Sequence, residues 1–479
     1  MDYEAVIGLE IHVELNCATK MFCDCPNRPG DEPNSNICPI CLWLPGAIPR
    51  FGYEALEKAT LACLALNCHI QDRSAFDQKV YYYPDLPKGF QLSQAHYPLA
   101  RNGGLSIIGE DGQPKRLRIH HIHMEEDVAK LIHEMEGKTP VSLVDFNRAG
   151  APLIEIVTEP DMRSPYEAME FVRLLRTQIR YAGSSECSLE SGTMRVDANI
   201  SIRPRGTDQM NTKVEVKNMN SIRHVGDAIA YEIARQKAAL EAGEPIVLHT
   251  RLWDPQKKVT TAMRGKFAGP CVPDPSVPPI VISREWLKEK IALLPEMPAA
   301  RAERLRRQFG LTEEEAFQIC AEKETADYFE QVMAFPVPAR MATSWLTTQL
   351  VPALRERAEA LLASRVTPSR FADLLGLIDR NEINANSAKT VLGRLFETDL
   401  PVRTVIDEGG FIQVSDASEL EGIVAGVLEQ NAAAVTDYHN GVSKALGFLI
   451  GQAMQASGGK ANPKVVREIL VKRLTLEQP

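Results

Sequence analysis

Four stretches of this chain alternate apolar and polar residues with a period of two, and each carries an acid or an imidazole among its polar positions. In residues 7–15, Ile7, Leu9, Ile11, Val13 and Leu15 alternate with Gly8, Glu10, His12 and Glu14. Strand side chains point to alternate faces, so Glu10, His12 and Glu14 share one face and the aliphatic residues the other. Residues 194–203 repeat the pattern: Met194, Val196, Ala198, Ile200 and Ile202 oppose Arg195, Asp197, Asn199, Ser201 and Arg203. Residues 213–217 set Glu215 between Lys213 and Lys217, and residues 153–158 are an apolar run interrupted by Glu155. A polar sheet face ordinarily just meets water. A lone carboxylate inside an apolar run is costly to bury unless it is paired or binds a metal. Acids converging with a histidine point to a divalent cation, since hard cations take oxygen ligands.

At 479 residues the chain is too long for one core, and about three domains are expected. Its 44% hydrophobic and 24% charged residues are those of an ordinary globular protein. No stretch has the length and apolarity of a membrane span, and no basic region followed by an apolar run opens the sequence, so a cytoplasmic location and no membrane partner are expected. A net charge of −9 argues against blanket nucleic-acid binding while leaving room for a local basic patch.

The ten cysteines are unevenly used. Cys23, Cys25, Cys38 and Cys41 form two close pairs bracketing a loop rich in Pro, Asn and Asp, the spacing of a tetrahedral thiolate zinc site. In a cytosolic chain a metal knuckle is favoured over disulfides. Four thiolates leave no open position, so such a zinc is structural. Cys17, Cys63, Cys68, Cys187, Cys271 and Cys320 are scattered and read as small buried apolar residues.

Residues 1 to about 290 mix short strands, Pro/Gly turns and a few helices. Helices are predicted over 166–181, where Phe171, Val172, Leu174, Leu175 and Ile179 form a stripe, and over 227–240. Arg173, Arg176 and Arg180 read as the solvated face of the first. Residues 264–281 read as a Pro/Gly-rich loop. After Trp286 the composition turns helical. Residues 399–410 read as a connector, with Pro401 and the Gly409-Gly410 pair as breakers. Residues 441–479 hold six Lys or Arg against two Glu, whereas 411–440 hold five acids and no Lys or Arg. A small helical module with one basic end suits an RNA backbone; a soluble helical cap with surface lysines fits the charge equally.

The sequence has no G-x-x-x-x-G-K-[ST], since Ile132 stands where the first glycine before Gly137-Lys138-Thr139 should be, and no G-x-G-x-x-G. Any nucleotide chemistry is therefore not of P-loop or Rossmann type. Gly183-Ser184-Ser185 is too short to read as a serine-nucleophile motif.

Several longer motifs resemble the GatB family, a component of bacterial aspartyl/glutamyl-tRNA amidotransferases. They are Ile7-Gly8-Leu9-Glu10-Ile11-His12-Val13-Glu14-Leu15, Pro33-Asn34, CPICLWLP at 38–45, YPDLPKG at 83–89 and HMEED at 123–127. DFNRAG at 145–150, PLIEIVTEPD at 152–161, residues 195–201 and KVEVKNMNSIR at 213–223 continue the match, as do GQAM at 451–454 and GKANP at 459–463. The resemblance covers nearly the whole chain.

It implies an α+β fold: a cradle-shaped, mixed but mainly antiparallel sheet domain over 1–292 with the zinc knuckle at 23–41, a helical domain over 293–405, and a small helical, tRNA-binding tail domain over 406–479. It implies an ATP-dependent carbon–nitrogen ligase. ATP and Mg²⁺ phosphorylate the side-chain carboxylate of Glu-tRNA(Gln) or Asp-tRNA(Asn), and ammonia from a partner amidase displaces the phosphate. Partners would be the amidase GatA, the small protein GatC and the misacylated tRNA. A carboxylate needs this activation because oxide is a poor leaving group, and the phosphoryl transfer needs charge neutralised. The family motifs put His12, Glu125, Glu155, Asp197 and Glu215 at the Mg²⁺ site with Glu10 beside them. Arg195, Lys213 and Lys217 become candidates to hold phosphate, although charge balance of the acids accounts for them too. Lys79, Tyr82 and Lys88 become candidates for the ammonia path, and Lys444, Lys460 and Lys464 for tRNA contact.

Two departures stand out. Residues 263–279, MRGKFAGPCVPDPSVPP, are shorter than the family's usual segment and lack its acidic, His and Tyr residues. Trp43 stands beside Cys41 in place of a customary Gly. Many family members lack the cysteines altogether, so zinc has no catalytic part in this reading. Two alternatives from other classes remain: a metal-dependent phosphohydrolase or nuclease, needing no ammonia, and a non-catalytic tRNA-binding scaffold without ATP turnover.

Overall fold

The strand Tyr3–Glu14 lies in the middle of a nine-stranded sheet. From one edge the order is Val259–Ala262, Thr250–Asp254, Val214–Lys217, Met194–Pro204, Tyr3–Glu14, Pro152–Thr158, Pro114–Glu126, Ala100–Ile108 and His69–Ile70. Every neighbouring pair is antiparallel except Val214–Lys217 with Thr250–Asp254. The computed structural model describes residues 2–263, 269–412, 417–440, 442–457 and 461–476. It divides into two compact units, Met1–Pro298 and Ala299–Pro479. The α+β reading holds: a largely antiparallel sheet region precedes a helical one.

The period-two pattern becomes two chemically distinct faces. Ile7, Leu9, Ile11, Ile154, Ile156, Val196 and Ala198 enter one core with Phe171, Val172, Leu175 and Ile179 of helix Pro165–Tyr181 and Val225, Ala228 and Ile229 of helix Ile222–Glu241. Both helices start where side-chain oxygens satisfy free backbone donors: Ser164 accepts from the Glu167 N–H, and Ser221 from the His224 N–H. Pro165 at the first turn needs no donor there.

A second, smaller sheet is built on strand Arg73–Val80, which pairs with Phe90–Tyr97, Cys271–Pro273 and Ile280–Val281. The reading of 264–281 as a loop is therefore corrected at its far end: tertiary pairing recruits two short strands that periodicity cannot reveal. Residues 264–268, which fall in the segment that departs from the family, lie outside the described residues.

In the second unit, Leu305, Ile319, Phe329, Leu350, Phe371, Leu375 and Leu392 belong to one hydrophobic cluster, and Leu420, Val424, Leu449, Val466, Leu470 and Leu474 to another. The expected connector at 399–410 contains a helix, Val402–Gly409, whose Val402, Val405 and Ile406 are buried in the first cluster. Pro401 precedes this helix and Gly410 follows it in the left-handed conformation, so both breakers act as boundaries. Ile406→Ala is expected to cost roughly 2–4 kcal/mol of stability for this unit, as for other buried truncations. Urea denaturation checks this; a connector would register almost nothing.

Candidate functional site

The register of four strands places one row of side chains across the sheet's polar face. Arg195 lies opposite His12, His12 opposite Glu155, and Glu155 opposite His123. Glu125 is two residues beyond His123 and shares its face. His12 Nε2 lies 3.4 Å from Glu125 Oε1 and 3.4 Å from Glu155 Oε2. His123 Nε2 approaches Glu155 Oε2 to 3.2 Å and Glu125 Oε2 to 3.8 Å. Glu125 and Glu155 are buried, only 2% and 8% exposed.

Burial opposes the charge of Glu155, but hydrogen bonds from His12 and His123 outweigh it and hold the carboxyl well below the usual range. The same balance acts in reverse on the imidazoles. Burial disfavours their protonation, yet Glu155 and Glu125 raise His12 above its ordinary value and push His123 up to about 9. Burial, reinforced by the charge of Glu155, raises Glu10, whose carboxylate also accepts a hydrogen bond from Asn199 at 2.8 Å.

His12, Glu125 and Glu155 each offer a ligand atom, all within 4.8 Å of one another. The fit to a hard divalent cation rests on that donor set and on Glu125 Oε2, a buried oxygen with no hydrogen-bond partner. Asp197 and Glu215 stand apart from this trio. Lys217 Nζ lies 2.6 Å from Asp197 and 2.9 Å from Glu215, and the Thr250 hydroxyl donates to Glu215 at 2.7 Å.

A cavity of about 660 Å³ opens over the row. Its lining includes His12, Glu125, Arg195, Asp197, Lys217 and Lys79, the last contributed by the smaller sheet. Arg195 reaches Asp127 at 2.9 Å. Burial opposes the Lys79 ammonium, but the fields of Glu125 and Glu155 hold it above its ordinary value. Lys213 precedes its strand, is exposed and does not line the cavity. Tyr82 is exposed, and Lys88 is buried in an ion pair with Glu126.

Sequence reading missed His123 and Tyr81 at this site, although HMEED contains the histidine. Only the pairing of strands far apart in sequence brings His123 beside Glu155. Cys271 also differs from expectation: it is exposed and lines the cavity, because its strand pairs with Lys79 at the edge of the smaller sheet.

Cys23, Cys25, Cys38 and Cys41 converge, each sulfur within 4.8 Å of the others, and Cys23 and Cys41 are buried. The Cys38 N–H donates to Cys41 Sγ at 3.1 Å. A hydrogen bond from Cys23 pulls the Cys41 thiol down to about 5 against its burial, with help from the Cys38 N–H and Lys20. Four convergent sulfurs with one predisposed to ionise form a cluster that could hold a metal such as zinc.

Comparison with known proteins gives these two sites a context. Residues 5–288 match the model of the GatB/GatE catalytic domain, and residues 327–474 that of the GatB domain. The chain belongs to the GatB family. It is 66% identical over 474 residues to an aspartyl/glutamyl-tRNA(Asn/Gln) amidotransferase GatB protein of Syntrophus aciditrophicus, covering 99% of each chain. The corresponding proteins of Carboxydothermus hydrogenoformans and Thermotoga maritima are each 44% identical, again over 99% of both chains. These relatives match throughout, so family membership applies to both units.

Two outcomes follow from the geometry. Mn²⁺, used as a paramagnetic stand-in for Mg²⁺, should bind wild-type protein and bind Glu155→Gln at least about tenfold more weakly. Its affinity should rise between pH 6 and 9, because His12 and His123 must give up protons to admit a cation. Titration followed by electron paramagnetic resonance measures both. Elemental analysis of zinc-replete protein should find about one zinc per chain, and Cys38→Ser should lower that stoichiometry and the thermal midpoint.

Proposed function

We propose that this chain is the transamidating component of a glutamine-dependent tRNA amidotransferase, acting on Glu-tRNA(Gln), Asp-tRNA(Asn) or both. The observation that carries the reading is the His12, Glu125 and Glu155 trio at a cavity flanked by Arg195, Lys217 and Lys79. Family membership and full-length similarity to named amidotransferase proteins support it.

In this reading the cavity receives the aminoacyl end of the tRNA together with the γ-phosphate of ATP. His12, Glu125 and Glu155 would hold Mg²⁺, with Asp197, Glu215 and Glu10 along the same face. Mg²⁺ bound there would neutralise charge on the transferring phosphoryl group. Lys217, Arg195 and Lys79 supply fixed positive charge around the phosphate oxygens, a preorganised electrostatic contribution. Lys213 adds to the field at longer range. The substrate carboxylate attacks the γ-phosphorus and ADP leaves. Ammonia then attacks the activated carbonyl and phosphate departs. The low-charge walls of Met194, Val196 and Met219 help exclude water, which would otherwise hydrolyse the acyl phosphate.

Ammonia comes from a partner amidase, GatA, with GatC as the third component and Lys79, Tyr82 and Lys88 as candidates along its path. The zinc knuckle is structural. The tail from residue 406 grips the tRNA: Lys444 and Lys464 are exposed on helices Ser443–Ala456 and Pro463–Leu476, a placement open to phosphate. Lys460 lies outside the described residues.

The deciding experiment is amide formation on Glu-tRNA and Asp-tRNA by the purified chain with its amidase partner, ATP and glutamine. Glu155→Gln and Asp197→Asn should abolish ATP-dependent amidation and leave tRNA affinity largely intact. ATP hydrolysis with no dependence on ammonia or aminoacyl-tRNA would favour a phosphohydrolase, and tRNA binding without ATP turnover a scaffold. Lys444→Glu with Lys464→Glu should weaken tRNA binding and flatten its salt dependence, since fewer counterions are released. Affinities at several salt concentrations measure this.

A further inference from the structure

The cysteine knuckle and the carboxylate site are joined by a short chain of packed side chains. The backbone N–H of Trp43 donates to the Ile40 carbonyl at 2.9 Å and that of Leu44 to Pro39 at 2.8 Å, which fixes Trp43 to the turn bearing Cys38 and Cys41. Trp43 adopts φ 54°, a left-handed conformation that a bulky residue rarely takes. Its ring meets the Phe90 ring edge-on, with centroids 5.3 Å apart. The Lys88 ammonium sits over both rings, 5.6 Å from one centroid and 5.5 Å from the other. Lys88 in turn pairs with Glu126, both side chains 5% exposed. Glu126 also accepts the Leu92 N–H at 2.8 Å and is the immediate neighbour of Glu125.

Cys23, Cys41, Trp43, Lys88 and Glu126 line one void of only about 10 Å³. That is room for no more than about one water, so displacement on one side is felt on the other. A buried ion pair adds to this stiffness, because separating its charges is costly. A second buried lysine, Lys20, lines the same void from the knuckle side, tied to the Asn36 and Phe146 carbonyls at 2.8 and 3.1 Å.

We propose that the knuckle and the cation site are energetically coupled through Trp43, Lys88 and Glu126, so that a metal on the four cysteines tightens cation binding at His12, Glu125 and Glu155. Trp43 is then a positioning residue. Closing the thiolates around an ion fixes the turn, the turn fixes the indole, and the indole with Phe90 holds Lys88 against Glu126. Glu125 inherits its place from that pair. By linkage, a cation on the carboxylates must tighten zinc on the cysteines by the same factor. The inference rests on reading both clusters as metal sites.

The test uses full-length protein and two probes, Zn²⁺ for the cysteines and Mn²⁺ for the carboxylates. Mn²⁺ affinity is independent of ammonia transfer, so any part Lys88 has in that path does not confound it. Zinc-loaded wild type should bind Mn²⁺ at least about threefold more tightly than zinc-stripped wild type, a modest value for coupled sites. Trp43→Gly suits the φ of this position, so its backbone is unstrained. Loaded with one zinc, it should bind Mn²⁺ as weakly as stripped wild type. Trp43→Phe, which keeps a ring over the ammonium, should restore most of the difference. Equal Mn²⁺ affinity in zinc-loaded wild type and zinc-loaded Trp43→Gly overturns the coupling, as does an affinity in wild type that zinc removal leaves unchanged. Equal binding to wild type and Glu155→Gln overturns the carboxylate site itself, and the coupling with it.

Discussion

The burial of Glu155 is the constraint on which the sheet depends. A carboxylate withdrawn from water costs several kcal/mol unless it is closely partnered. Its partners, His12 and His123, come from the two strands on either side. A slip of either strand by one residue would turn those imidazoles toward the apolar core and leave the charge unpaired. The register that protects Glu155 therefore also orients Glu125 and Arg195. One electrostatic requirement thus aligns four strands and assembles the cation-binding row.

This division of labour explains what could be read from the sequence. The faces of residues 3–14, 152–158 and 194–204 were legible because strand period is a local property of the chain. The cysteine cluster was legible because its spacing is local too. His123 was not, since its role depends on lying opposite Glu155, and nothing local to HMEED encodes that. Nor could the sequence separate His12, Glu125 and Glu155 from Asp197 and Glu215. All five sit in similar motifs, but Lys217 claims the last two. The helix Val402–Gly409 was obscured for a related reason: its flanking breakers are conspicuous, whereas the burial that stabilises it comes from residues distant in sequence.

Positive charge is distributed in two layers around these sites. Lys217, Arg195 and Lys79 line the open cavity, where they can meet an anionic ligand. Lys20 and Lys88 are buried behind it, committed to carbonyls, rings and a carboxylate. Reversing a lysine in the first layer should change what binds, whereas truncating one in the second leaves a buried partner unpaired and strains the fold. The same residue type thus serves recognition in one layer and construction in the other.

The position of strand Tyr3–Glu14 has a consequence for synthesis. It is made first among the strands, yet its neighbours are Pro152–Thr158 and Met194–Pro204. At the usual elongation rate of about 5–20 residues per second, both of its edges stay open for about 10–40 s. An apolar strand with two open edges is a template for pairing with other chains. The nascent protein must keep that strand shielded on the ribosome until most of the first unit has emerged, so its vulnerability to misassembly is greatest long before any active site exists.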